Sequence, residues 1–323
     1  MSAFAVSVVI PLYNKARFIR ATLETALAQT HRADEIIIVD DSSTDGSVAG
    51  IEDLLGECVR LVRQANAGPG PARNRGVAEA NSEWIAFLDA DDLWQANHLA
   101  TLAEVAAQCP DAAIVAARHQ RMTATDPVSA PDNLPVAARR IDFFRDAQQG
   151  EILSSTSVAI RRAALIEAGG FGAFFPGEDF ELWTRLALDN VIAVSGRTTA
   201  FYVQHTGGLM DSLTGRKSFK PEHQPMFALL AEALADPRYA WRHRDIRALR
   251  DGLLRNSVKQ ELYRGDADAA RILIHDCDRL GAAVPASYRA LAMLPQLFLG
   301  PAIRTAVRLR RFRSSTGQAR RGE

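Results

Sequence analysis

Three cysteines in 323 residues, Cys58, Cys109 and Cys277, are too few and too far apart for a disulfide framework. None stands in CxxC spacing, so a cysteine zinc site is not expected and a reducing compartment fits. The chain has no uninterrupted apolar run near the ~20 residues of a membrane span. The nearest, Ala290–Ile303, is broken by Pro295, Gly300 and Pro301. The N-terminus, MSAFAVSVVIPLYNK, has no basic region followed by a long apolar core, and reads as a strand rather than a signal peptide. There is no excess of charge either: 38 basic and 38 acidic residues give a formal net charge of +0. That excludes a general polyanion binder, and no nucleic-acid partner is expected. A cytoplasmic location follows as the expectation. No internal repeat is present.

What is present is the composition of a globular chain, 47% hydrophobic and 24% charged. Over the first ~120 residues strand and helix patterns alternate, the mark of an α/β fold. AVSVVI (Ala5–Ile10), EIIIVD (Glu35–Asp40), CVRLVR (Cys58–Arg63) and EWIAFLD read as strands. Ala16–Gln29, STDGSVAGIEDLL, the segment opening at GPARNRGVAEA and Leu93–Gln108 read as helices. A strand at Ala112–Ala117 follows, and the pattern fades from His119 to Arg140. ILSSTSVAI, VIAVSG and TAFYVQH read as later strands, and Gly177–Asn190 as a helix. Beyond ~220 the chain turns Ala-, Leu- and Arg-rich with helical spacing. The expected domains are 1–218 and a helical appendage, 219–323, ending in a basic tail.

Four polar segments follow the first four strands: PLYNK, DDSSTDGS, NAGPGPARNRG and DADD. Catalytic groups of open parallel sheets gather at the carboxyl ends of strands, so four such segments on one edge indicate a shared site. Familiar phosphate loops are missing. After Gly68 and Gly70 the third glycine of a dinucleotide fingerprint is replaced by Arg73, and TGRKS (Thr214–Ser218) has Arg216 where a Walker glycine should stand. Arg73 at a helix start can pair with a nucleotide base or diphosphate, or belong to a solvated face. Asp89 and Asp91 are i and i+2, on one face if the strand continues. Two carboxylates aimed at one point suit a hard divalent cation that completes its shell with phosphate oxygens; the bland reading is a surface turn. Asp92 reads as the N-cap of a helix starting at Leu93. Glu178, Asp179 and Glu181 at a helix start would be favoured by the macrodipole alone. His205, at a strand end before two glycines, is either structural or a metal or diphosphate contact.

The ordered set SVVIPLYNK, IIIVDDSSTDGS, NAGPGPARNRG, WIAFLDADDLW and GEDFELW resembles the family 2 glycosyltransferases over residues 5–205. The resemblance implies the GT-A fold: a Rossmann-like, mostly parallel central sheet flanked by helices. It implies that Pro11, Tyr13 and Asn14 lie against a nucleoside and that Asp41 contacts the base. Arg73 would contact the base or diphosphate. Asp89 and Asp91 would be the DxD motif, Asp91 a direct metal ligand and Asp89 near the ribose or metal, with Mg²⁺ or Mn²⁺ as cofactor. Asp179 would be the catalytic base, and His205 would sit near the metal or diphosphate. No QxxRW motif is present, which argues against a processive synthase.

The implied function is metal-dependent, inverting hexosyl transfer from a nucleoside-diphosphate sugar, UDP-sugars foremost. The acceptor would be the hydroxyl of a saccharide or lipid-linked molecule, in cell-surface polysaccharide or glycolipid assembly. Two other classes stay open: a metal-dependent sugar nucleotidyltransferase, whose N-terminal glycine-rich signature is missing here, and a non-catalytic nucleotide-sugar-binding module. The tail Ala302–Glu323 carries seven arginines and one acid. It is either a frayed charged end or a basic amphipathic segment resting peripherally on the inner face of an anionic membrane.

Overall fold

The computed structural model describes residues 4–123, 125–126, 136–150, 153–174, 176–204, 206 and 225–294. His205, the Thr214–Ser218 segment and the basic tail lie outside the described residues. The chain divides into two compact units, Met1–Asp211 and Ser212–Glu323.

The first unit is built on a mixed sheet with the order β3-β2-β1-β4-β8-β6-β9-β5. Its strands are β1 (Val6–Leu12), β2 (Glu35–Asp40), β3 (Val59–Arg63), β4 (Trp84–Phe87), β5 (Leu93–Trp94), β6 (Ala112–Thr123), β7 (Ala138–Ile141), β8 (Val158–Arg161) and β9 (Val191–Gln204). β3, β2, β1 and β4 run parallel. β8 is antiparallel to both β4 and β6, and β9 pairs in parallel with β6. β7 and β5 pair with β9 in antiparallel fashion. β1 and β2 are apolar almost throughout because helices cover both faces, so no polar alternation is needed.

The helices of this unit are α1 (Ile19–Leu27), α2 (Pro69–Glu79), α3 (His98–Gln108), α4 (Phe143–Asp146), α5 (Arg162–Glu167) and α6 (Glu178–Asp189). α2 lies close against β1 because residue 76 is glycine. A Cβ there would come within 2.3 Å of Val9 Cγ1. This approach carries Arg73, on the same helix, into the protein, where it is 4% exposed.

Register places the site. Leu12 pairs with Asp40 and Val9 with Phe87, so the segments after β1, β2 and β4 emerge side by side. β8 runs back along β4, with Ala86 opposite Ala159, which brings the 3-10 turn Ser155–Ser157 beside the residues after β4.

Several sequence expectations are corrected here. Leu93–Trp94 is a strand, not the start of a helix; α3 begins at His98, after Asn97. Long-range packing overrides the helical spacing: Leu93 packs with Met122, Phe201 and Val203, while buried Trp94 donates its indole N–H to Thr156 O at 2.6 Å. Asp92 is therefore not a helix cap. VIAVSG and TAFYVQ form one strand across Gly196, ending at Gln204, and β6 continues past His119 to Thr123. STDGSVAGIEDLL holds only a 3-10 helix, Ala49–Leu54.

The second unit is helical where described: Pro225–Ala235, His243–Arg264, Ala267–Arg279 and Ala286–Ala292. It has its own core of Leu254, Val258, Leu262, Leu273 and Cys277. Asp266 caps the third of these helices, accepting from Ala269 N at 2.9 Å. Among the described residues no helix is long and apolar enough to cross a membrane.

Candidate active site

The residues after β1 and β2 are laced together. Asn14 sits in the left-handed region at φ 51, a conformation asparagine tolerates better than most residues. Its side-chain oxygen accepts from Thr44 N at 2.8 Å, and its own N–H donates to Ser43 Oγ at 3.1 Å. Tyr13 is 46% exposed beside it, and Pro11 lies in β1 itself, opposite Val39. Asp41 is turned inward. Its carboxylate accepts from Gln64 Nε2 at 2.8 Å, Ala67 N at 2.9 Å and Gly68 N at 2.8 Å. It thus latches the loop that leads into α2, where Gly68 takes φ 92.

The strand β4 ends at Phe87, so Asp89 and Asp91 do not share a strand face; they stand on a turn. Buried Thr22 of α1 holds that turn, donating to Ala90 O at 3.1 Å and Asp92 O at 2.9 Å. Each acid meets a different cation. Asp89 Oδ1 accepts from Arg73 at 2.7 Å. Asp91 Oδ2 is paired with the Lys15 ammonium and accepts from Thr206 Oγ1 at 2.5 Å. Asp92 is fully buried, accepting from Thr156 Oγ1 and, at 2.9 Å, from Val203 N. Burial pushes its carboxyl well above the usual range, and repulsion from Asp89 and Asp91 adds to this. The same acids reach Tyr202: burial, then Asp92, Asp91 and Asp89, push its phenol up to about 12.

Arg73 joins this turn to α6. Its second guanidinium nitrogen donates to Glu178 Oε1 at 2.9 Å, and its plane lies 5.3 Å from the Phe171 ring centroid. Burial opposes the charge on Arg73, but Asp89 and Glu178 outweigh it and raise its pKa. Burial likewise pushes Glu178 up, against the pull of Arg73. Asp179, the next residue, is half-buried; it accepts from Phe180 N at 2.7 Å and from Ser155 Oγ at 3.5 Å.

The structure thus brings Arg73, Asp89 and the Glu178–Asp179 pair into one chain of contacts, with Asp91 beside it. Asn14 and Asp41 are brought to the same edge as loop-holding groups. Lys15, Thr156 and Thr206 were missed from sequence. Lys15 stands within the PLYNK segment, but nothing in the chain marks Thr156 or Thr206. Asp89 Oδ2 and Asp91 Oδ1 accept no hydrogen bond from described residues. Two hard oxygen donors beside an ammonium and a guanidinium fit a divalent cation that draws its remaining ligands from a diphosphate. No group of three or more His, Cys, Asp or Glu among the described residues is arranged to hold a metal without such help.

A family model described as "Glycosyl transferase family 2" matches residues 7–169. An uncharacterised glycosyltransferase of Nostoc is 43% identical over 103 residues, 31% of this chain and 32% of its own. The succinoglycan biosynthesis protein ExoW of Rhizobium meliloti is 38% identical over 99 residues, 29% of this chain and 31% of its own. The matches span about a third of the length of these curated relatives. Among solved structures, residues 1–349 of Staphylococcus aureus TarS, in complex with UDP-GlcNAc, superpose with a TM-score of 0.68 at 19% identity, covering 94% of this chain and 92% of that one. The mannosyltransferase PcManGT of Pyrobaculum calidifontis, with GDP-Man and Mn²⁺, gives 0.50 at 19%, covering 92% and 85%. The fold is accordingly the GT-A arrangement seen in TarS.

Proposed function

The chain belongs to glycosyl transferase family 2, and from that premise we propose that it moves a hexosyl group from a nucleoside-diphosphate sugar to an acceptor hydroxyl with inversion. One observation carries this reading: buried Arg73 holds Asp89 with one nitrogen and Glu178 with another, so the acids after β4 and the head of α6 form one unit. A transferase needs a donor site and a base beside it, and this pairing ties Asp89 to the helix start that carries Asp179.

The nucleoside lies along Pro11, Tyr13 and Asn14, over the loop latched by Asp41. The donor's diphosphate lies toward Asp89 and Asp91, and the sugar toward Asp179. Asp179 takes the proton of the acceptor hydroxyl as its oxygen bonds to the anomeric carbon. The bond from that carbon to the diphosphate oxygen breaks, and the nucleoside diphosphate leaves. A single base without a second nucleophile gives single displacement. Asp89 and Asp91 would hold Mg²⁺ or Mn²⁺, which when bound neutralises charge on the departing diphosphate. Half-buried Asp179 suits this role better than Glu178, whose charge is already committed to Arg73.

UDP-GlcNAc in TarS and GDP-Man in PcManGT support a nucleotide-sugar donor, with a UDP-sugar tested first. The likeness to ExoW, a succinoglycan biosynthesis protein, supports a place in polysaccharide assembly, and on this reading the acceptor is a saccharide or lipid-linked molecule. The test is release of nucleoside diphosphate from a panel of nucleotide sugars, with Mn²⁺ and with a chelator. Nucleoside-diphosphate release supports transfer. Pyrophosphate release instead would indicate a nucleotidyltransferase, and binding without either product a non-catalytic module.

A further inference from the structure

Lys15 has been left without a task by this mechanism, yet it is the cation closest to Asp91. Its backbone N–H donates to buried Ser47 Oγ at 2.8 Å, which fixes the residue against the segment after β2. Its Nζ lies over the Phe18 ring, 5.9 Å from the centroid. The ammonium is paired with Asp91 Oδ2 and donates to Thr206 Oγ1 at 3.1 Å. The side chain is only 13% exposed, and that of Asp91 17%. An ammonium has three N–H donors and acts as a compact point charge. Two donors are used here, and the third makes no bond to a described residue.

We infer that Lys15 is a resident cation of the donor site, which competes with a divalent ion for Asp91 and binds the donor's diphosphate once that ion is seated. The inference rests on the reading that a nucleotide sugar and a divalent cation meet at Asp89 and Asp91. A divalent ion taking the other oxygen, Asp91 Oδ1, would stand a few ångströms from the ammonium held on Oδ2, and the mutual repulsion of two cations is strong at that distance. A metal at Asp91 would therefore be opposed by the ammonium and would drive its head away from the carboxylate. Held at Ser47, Lys15 can move its head but not leave, and the nearest new anion is the donor diphosphate. Lysine is well suited to that exchange, being a mobile point charge and not a rigid fork.

Two opposite effects follow from one side chain. Without donor, Lys15 weakens metal binding; with donor, it strengthens diphosphate binding. Metal and nucleotide are thereby coupled, and the coupling must be the same whichever binds first.

The experiment is titration calorimetry on the full chain, with Mn²⁺ alone and with UDP in the presence and absence of Mn²⁺. Lys15→Met is expected to bind Mn²⁺ alone several-fold more tightly and UDP with Mn²⁺ about tenfold more weakly, as lost charge-assisted bonds do. Lys15→Arg, which keeps the charge, should retain most of the coupling. Circular dichroism and melting check the fold, and Lys15→Gln takes the place of the methionine variant if that one does not fold. A wild-type chain that binds neither Mn²⁺ nor UDP overturns this inference together with the proposed function. A wild-type chain that binds both, with the Lys15 variants unchanged in both constants, overturns the inference alone.

Discussion

Glu178 and Asp179 are adjacent carboxylates with opposite surroundings, and their substitutions should separate accordingly. Asp179→Asn is expected to lower turnover by at least about a hundredfold, the usual worth of a general base. Nucleotide affinity, measured by calorimetry, should change little. Glu178→Gln leaves Arg73 buried with half its countercharge. It should lower unfolding free energy by roughly 1–3 kcal/mol, read from urea midpoints. A third residue tests pH. His98 is fully buried, stacked on Trp94 with ring centroids 4.4 Å apart, and its Nδ1 bonds Thr199 Oγ1 at 2.7 Å. Burial lowers its pKa from 6.5 to about 3. Above pH 6.5 it is neutral folded or unfolded and costs nothing. As pH falls below 6.5 only the unfolded chain takes up the proton, so stability drops by about 1.4 kcal/mol per unit until about pH 3. His98→Asn should remove that slope in urea titrations at pH 7, 6 and 5. At this scale the sequence marked Asp89 and Asp91, because acids that end an apolar run are conspicuous, whereas Asp179 was singled out by the family resemblance alone. It did not mark Thr156 or Thr206, since a hydroxyl gains meaning only from what lies opposite it. Nor did it show that Arg73 is buried between two acids.

Elements were legible where local pattern and long-range packing agree. β1, β2 and β4 are apolar runs with turn residues after them, and both criteria point the same way. Leu93–Trp94 shows the conflict: helical spacing runs through it, but its partners are Phe201 and Ala200, more than a hundred positions later in the chain. β7 was missed because its residues, ARRI, carry almost no apolar signal and pair only through the backbone of β9. The contact of α2 with β1 was likewise unreadable, since a glycine inside a helix does not announce what approaches it. Gly76→Ala puts a methyl group into Val9, and overpacking of this kind costs about 1–3 kcal/mol. Val9→Ala in the same chain should recover part of that loss. The pair should therefore be non-additive in a denaturation cycle, as touching residues are.

Across the whole molecule, the change of composition near residue 220 was visible in the sequence, and the chain divides into its two compact units between Asp211 and Ser212. Each unit has its own buried apolar cluster. Scanning calorimetry of the full chain is expected to resolve two transitions, with UDP and Mn²⁺ raising only the one that belongs to the first unit. A single transition that moves as a whole would contradict this. The acceptor left no such trace, because no short pattern encodes a saccharide-binding surface. The bonds that β9 and Thr206 make to the acids also set a timetable. Asp91 and Thr206 are 115 positions apart, and Asp92 and Val203 are 111 apart. At ~5–20 residues per second of synthesis, the growing chain waits on the order of ten seconds between exposing its acids and receiving their partners. During that interval Asp92 has no amide to bury against. A nascent chain stalled before residue 191 would display the whole motif and still be a substrate for chaperones and proteases.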